Sequence, residues 1–239
     1  MAIVENLATI RERIALAARH VGRDPDKITL MAVSKTFPAE LIREAYAAGV
    51  RVFGESKVQE FSGKSLALAD LRGASWHMIG HLQSNKAAKA AELFTAIDSI
   101  DSLRLAKKLN LSAEQIGKIL DVLIEINVGE ESAKSGARAD SEELEELLHA
   151  APRLSQLRFR GLMTVPPFTD DPQYARPFFR KLRALRDSIA ARKLHSISMD
   201  VLSMGMSHDF EVAIEEGSTC LRIGTAIFGE RPQKLSSSQ

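Results

Sequence analysis

The 239-residue chain has one cysteine, Cys220. A single thiol excludes an intrachain disulfide and a cysteine-rich zinc site. Charge of one sign is lacking too: 32 Lys and Arg face 31 Asp and Glu, a formal charge of +1. A near-neutral chain exerts no global pull on nucleic acid or anionic membrane. No apolar run approaches the roughly 18 residues of a membrane span. The opening MAIVENLATIRERIALAARH carries Glu5 and Glu12 and lacks a signal-peptide core. These absences predict a reducing, cytoplasmic address, with no nucleic-acid or membrane partner. There is no low-complexity block and no linker rich in Pro, Gly or Ser. No Gly-x-Gly-x-x-Gly follows the first strand and no nucleotide P-loop is present, which argues against a Rossmann fold and a nucleoside triphosphate site.

What is there is alternation. Hydrophobic residues make up 45% and charged residues 26%, an ordinary globular composition. An amphipathic helix is predicted from Val4 to His20, with Leu7, Ile10, Ile14 and Ala17 on one stripe. Then eight β-rich runs each precede a helix or turn: residues 28–35, 50–55, 75–80, 94–100, 121–127, 157–165, 196–205 and 219–229. Pro38 and Gly49 bracket the helix after the first run. The runs are nearly continuous hydrophobics, as strands buried on both faces should be. Eight strand–helix units in this length predict a (β/α)8 barrel, with a doubly wound sheet as the alternative. The tail 233–239 is expected to fray.

A barrel of this kind does its chemistry at the C-terminal strand ends. Lys35 closes the first run. A desolvated lysine there becomes nucleophilic toward carbonyls, although a lysine can also snorkel outward. Ser203 closes strand seven, and Gly224 and Thr225 follow strand eight, where such barrels bind phosphate. Plain turn chemistry, with Ser207 capping a helix, explains the same residues. Arg222 stands inside an apolar strand and needs a partner, either Glu55 or Glu125, or a ligand ring. His81 at a strand end is a base, a stacking group or a core histidine. Trp76 and His77 read as packing, Cys220 as inert, and nothing suggests a metal. Glu142, Glu143, Glu145 and Glu146 decorate one helix; Arg180, Lys181, Arg183, Arg186, Arg192 and Lys193 decorate another, above an apolar stripe of Phe178, Leu182, Leu185 and Ile189. Both read as solvated faces, with an interaction-only role toward nucleic acid or an acidic partner as the alternative for the basic one. A strand-end lysine with a phosphate cradle implies a phosphorylated carbonyl compound, either pyridoxal 5′-phosphate (PLP) or a sugar phosphate. Arg222, two residues before Gly224 on one strand face, favours PLP.

The strings MAVSKTFP (31–38), FGESKVQE (53–60), WHMIGHLQSNK (76–86), SIDS (99–102), VLIEINVGEESAKSG (122–136), RGLMTVPP (160–167), LSMGMSHDFEVAI (202–214) and GSTCLRIGTAIFG (217–229) resemble the YggS/PROSC family of PLP homeostasis proteins. The resemblance implies one PLP-binding (β/α)8 domain over 1–239, like the N-terminal domain of alanine racemase. It implies Lys35 as the Schiff-base lysine. Ser203, Gly224 and Thr225 match the phosphate cradle, and Arg222 matches the arginine facing the pyridine nitrogen. His81 and Met163 fall where they would line the cofactor. One departure is Ser56-Lys57, where the family usually has Asn-Tyr. Alanine racemase adds a tyrosine base from a second domain, for which this length leaves no room; the tyrosines here, Tyr46 and Tyr174, are expected on or near outer helices. The expectation is a monomeric PLP carrier without turnover, feeding apo forms of PLP-dependent enzymes. A weak amino-acid racemase is the alternative, with a Schiff-base aldolase behind it.

Overall fold

The computed structural model describes residues 3–129, 131 and 135–230. Eight parallel strands pair in chain order and close, first against last. They are β1 (Thr29–Val33), β2 (Val52–Glu55), β3 (Ser75–Met78), β4 (Ala96–Ile100), β5 (Leu120–Glu125), β6 (Leu157–Met163), β7 (Ile197–Ser203) and β8 (Cys220–Ile223). A helix α1 (Ile3–His20) precedes them. Among the described residues each strand is then followed by one α-helix: α2 (Ala39–Ala47), α3 (Val58–Ser65), α4 (Ala87–Leu93), α5 (Leu103–Gln115), α6 (Glu142–Ala150), α7 (Arg176–Ala191), α8 (Phe210–Glu215) and α9 (Thr225–Phe228). The expected (β/α)8 barrel with an extra N-terminal helix is the fold observed.

Local chemistry sets the element ends. The hydroxyls of Ser102 and Ser141 accept the N–H groups of Leu105 and Leu144 and so start α5 and α6. Gly49, at φ +91, turns the chain out of α2. In α1 the buried residues are Ile3, Leu7, Ile10, Ile14 and Ala18. The stripe ends on Ala18 rather than the expected Ala17, because the 3.6-residue turn drifts over three repeats. In α7 the fully buried aromatic is Phe179, with Phe178 and Leu185 half-buried at the stripe's edge.

Side chains alternate across each strand. Phe53, Met78, Ile97, Ile124, Leu162, Leu202 and Ile223 join one continuous core against the helices. Met31, Val33, Leu123, Met163 and Cys220 are buried but stand outside that cluster, on the opposite face. They fill the barrel itself. A Cβ on Gly54 would meet Met31 Sδ and Ile79 Cδ1 within 3 Å, which marks the same inner face. His77 is inside too. The expectation of simple packing is corrected: its Nδ1 lies 3.0 Å from Asp98 Oδ1. Burial opposes the charged ring, but Asp98 outweighs it and holds the His77 pKa above the ordinary value. The strand register shifts between Phe159 and Gly161 of β6. A Cβ on Gly161 would sit 1.8 Å from the Val201 carbonyl oxygen, so only glycine fits that approach.

Among the described residues no helix is long and apolar enough to cross a membrane. The predicted fraying of 233–239 lies outside the described residues.

Candidate cofactor site

The inner-face parity that buries Leu123 and Cys220 brings Glu125, Met163, Ser203 and Arg222 to the C-terminal mouth. Met163 is fully buried and pairs in register with Ser203. Arg222 is 4% exposed. Its Nη1 donates to Ser203 Oγ at 2.8 Å and its Nη2 to the Thr164 carbonyl at 2.6 Å. Burial lowers its pKa, yet a guanidinium still keeps its proton at neutral pH. Neither expected carboxylate partner bonds it, and Glu55 is turned to the other side of the strand and paired with Lys64 at 2.9 Å. The arginine is thus oriented by a hydroxyl and a carbonyl, which fixes its plane without neutralising it.

The loop after β8 carries the amides. Gly224 is the N-cap of α9, and the N–H groups of Gly224 and Ala226 both point at Ser207 Oγ, at 3.3 and 3.4 Å. Ser207 therefore does not cap α8; the N-cap there is Asp209. The Asp209 carboxylate instead accepts the Met206 N–H at 2.6 Å, shaping the turn that presents Ser207. Burial pushes the Asp209 pKa up. So the hydroxyl beside the Gly224 amides is Ser207, while Ser203 holds the arginine. Thr225 is exposed at the first turn of α9.

Lys35 is half-buried two residues beyond Val33. Its neighbour Thr36 sits at φ +70, a left-handed conformation that costs a β-branched residue about 1–3 kcal/mol. Surrounding contacts hold this turn. The Thr36 N–H donates to Glu60 Oε1 at 2.6 Å. Lys64 Nζ donates to the carbonyls of Ser34 and Phe37, at 3.1 and 3.2 Å. Ser34 Oγ donates to Glu55 Oε1 at 2.6 Å.

His81 lies on the exposed rim, its Nδ1 3.1 Å from Asp101 Oδ2. It is not a core histidine. Two rim cavities, of about 540 and 260 Å3, share His81, Leu82 and Gln83. The smaller includes Ser56 and Lys57, the residues that depart from the usual Asn-Tyr.

Glu125, expected from sequence only as an ion-pair partner of Arg222, is a further functional candidate. It ends β5, is 7% exposed, and takes a 3.3 Å bond from Ser135 Oγ on Oε1. Its Oε2 has no hydrogen-bond partner among the described residues. Burial raises its pKa, and Asp101 adds to the rise against Arg222 and His81. The parity of β5 was the signal that could have found it. Cys220 is buried with its thiol pushed up to about 12, chiefly by burial. Among the described residues no group of His, Cys, Asp or Glu is placed to hold a metal.

The residues suit a phosphorylated pyridine aldehyde. Converging amides and an oriented guanidinium at the C-terminal strand ends, with Lys35 two residues beyond β1, are the chemical types such a molecule would need. Comparison with known proteins agrees on the class. The pattern described as "Alanine racemase, N-terminal domain" matches residues 6–232. The alanine racemase of Clostridium difficile 630 shares the fold at a TM-score of 0.72 and 15% identity, over 96% of this chain and 58% of its own. The nearer relatives are more particular. A pyridoxal phosphate homeostasis protein of Aquifex aeolicus is 45% identical over 95% of this chain and 97% of its own. PipY of Synechococcus elongatus PCC7942, solved with PLP bound, is 36% identical with a TM-score of 0.80, covering 95% of this chain and all of PipY. The chain belongs to the pyridoxal phosphate homeostasis protein family.

Proposed function

We infer that this protein binds PLP in the barrel mouth and serves as an intracellular PLP reservoir rather than an enzyme. The observation that carries this is Arg222, buried, charged and oriented by Ser203 and Thr164 beside the Gly224 and Ala226 amides. When bound, PLP supplies an aldehyde that condenses with a lysine amine, releasing one water. Lys35 supplies that amine. The Gly224, Thr225 and Ala226 backbone with Ser207 receives the phosphate, the place where two N–H groups already converge on a hydroxyl. Arg222 faces the pyridine nitrogen. A guanidinium does not release its proton, so the pyridine nitrogen would stay unprotonated and the ring a weak electron sink. Met163 and His81 line the ring and the rim.

Racemisation needs a second base on the opposite face. Tyr46 Oη donates to the Arg72 carbonyl on the outer helix layer, and Tyr174 packs on Phe178. Neither supplies that base. Glu125 does favour one second reading, a slow racemase, because it places a buried carboxyl with an open oxygen at the mouth.

The whole chain, 1–239, acts in this reading as one PLP-binding domain, monomeric and cytoplasmic, passing cofactor to apo-enzymes. The deciding measurement is α-proton exchange of L- and D-alanine in deuterated water with PLP-saturated protein. The reservoir predicts no exchange above free PLP. Exchange that disappears in Lys35→Ala makes the protein an enzyme instead. Borohydride reduction should fix the cofactor to the wild-type chain and not to Lys35→Ala.

A further inference from the structure

The turn that carries Lys35 is held from outside the barrel. Glu55 and Ser34 face the helix layer, not the mouth: Glu55 is fully buried beside α3 and accepts the Ser34 hydroxyl. Into that space α3 inserts Lys64, whose side chain is only 12% exposed. Its ammonium has three protons. It stands within reach of four acceptors: Glu55 at 2.9 Å, Glu60 at 3.1 Å, and the Ser34 and Phe37 carbonyls. Those two carbonyls flank the Lys35–Thr36 dipeptide on either side. Glu60, one helical turn before Lys64, takes the Thr36 N–H. The backbone groups that Lys64 and Glu60 bond here all belong to residues 34–37 around Lys35, and the strained Thr36 lies among them. A strained conformation persists only where its surroundings over-determine it.

We propose that Lys64 and Glu60 are positioning residues for Lys35: together they clamp the Ser34–Phe37 turn in the one backbone conformation that presents the Lys35 amine to a carbonyl ligand. Neither touches the ligand. The clamp acts on the carbonyl-reactive end of the site alone, because the amides of Gly224 and Ala226 and the Arg222 guanidinium hang on other strands with their own supports. It fixes the reacting amine before the ligand arrives, which lowers the entropic cost of forming the bond. This inference rests on the assignment of Lys35 above.

Two ligands separate the ends of the site. PLP has the aldehyde; pyridoxamine 5′-phosphate has the same ring and phosphate but an amine, and cannot condense with lysine. Affinities for both are measured on the full chain with Lys64→Met, which keeps the aliphatic stem, and with Glu60→Ala, whose half-exposed site leaves the fold intact. The expected result is a loss of about tenfold or more in PLP affinity and borohydride-fixed cofactor, the equivalent of one to two hydrogen bonds. Pyridoxamine 5′-phosphate affinity stays at the wild-type level. Glu60→Gln, which keeps an acceptor for Thr36, recovers most of the loss. Equal losses for both ligands, or unchanged PLP fixation in a folded Glu60→Ala, overturn the clamp. If Lys64→Met does not fold, Glu60→Ala and its Gln rescue decide. A Lys35→Ala control that still fixes PLP would instead fail the underlying assignment, and is read separately.

Discussion

Burial and charged partners pull two carboxyls of this molecule in opposite directions. Glu216 is held below the usual carboxylate range: burial alone would raise it, but Arg176 at 2.7 Å and Arg180 at 3.1 Å outweigh that. Glu125 has no such partner among the described residues, and burial raises it. The sign follows from linkage. A group whose pKa is raised on folding binds its proton more tightly in the native state. Its stabilisation is full below the ordinary value of 4.5 and is lost as pH rises through the folded value. Glu125→Gln removes that dependence. The variant should be more stable than the wild type near about pH 8, with the gap closing toward about pH 5, in urea denaturation across pH. A gap independent of pH would mean Glu125 stays ionised throughout.

At the scale of elements, α1 does more than precede the barrel. Its apolar stripe packs on α8 and α9, and Asn6 Nδ2 donates to the Ile227 carbonyl at the end of α9. These two short helices follow β7 and β8 and frame the Ser207–Gly224 contact. Neither is long enough to stand by itself. Leu7 is fully buried in this packing. Leu7→Ala should cost about 2–5 kcal/mol in chemical denaturation, a core truncation with its cavity. A cost below about 1 kcal/mol would show that α1 is a loose appendage. The basic face of α7 is partly tied down as well: Arg176 and Arg180 pair with Glu216 of the α8 end, and Arg192 with Glu145 of α6. It is a face of ion pairs as much as a solvated one, and exposed pairs of this kind add little stability each.

At the scale of the whole molecule, ligand and fold share one equilibrium. A ligand that binds only the native state at a hundredfold its dissociation constant stabilises by about 2.7 kcal/mol. For a chain of this length that is a rise of roughly 5–10 °C in Tm. PLP should produce it. Stripping the cofactor should reverse it, and Lys35→Ala should show a smaller rise at the same PLP concentration. Differential scanning calorimetry with and without PLP is the check; no shift at saturating PLP would remove the mouth as its site.

Much of this protein was written locally. Eight apolar runs, several followed by a Pro, Gly or Ser helix signal, specify a parallel barrel, because such strands must be covered on both faces. The strand-end rule then picks out Lys35, Arg222 and Gly224, since parity and position follow from the run boundaries alone. What sequence could not decide is which side chain meets which across the barrel. Arg222 chose Ser203 and the Thr164 carbonyl over the carboxylates on offer, and Ser207 left its own helix to meet the amides of the next loop. Lys64, an unremarked residue of α3, reached the turn of Lys35 from about thirty residues away. These pairings join residues far apart in the chain, and closing the sheet into a barrel is what sets their distances.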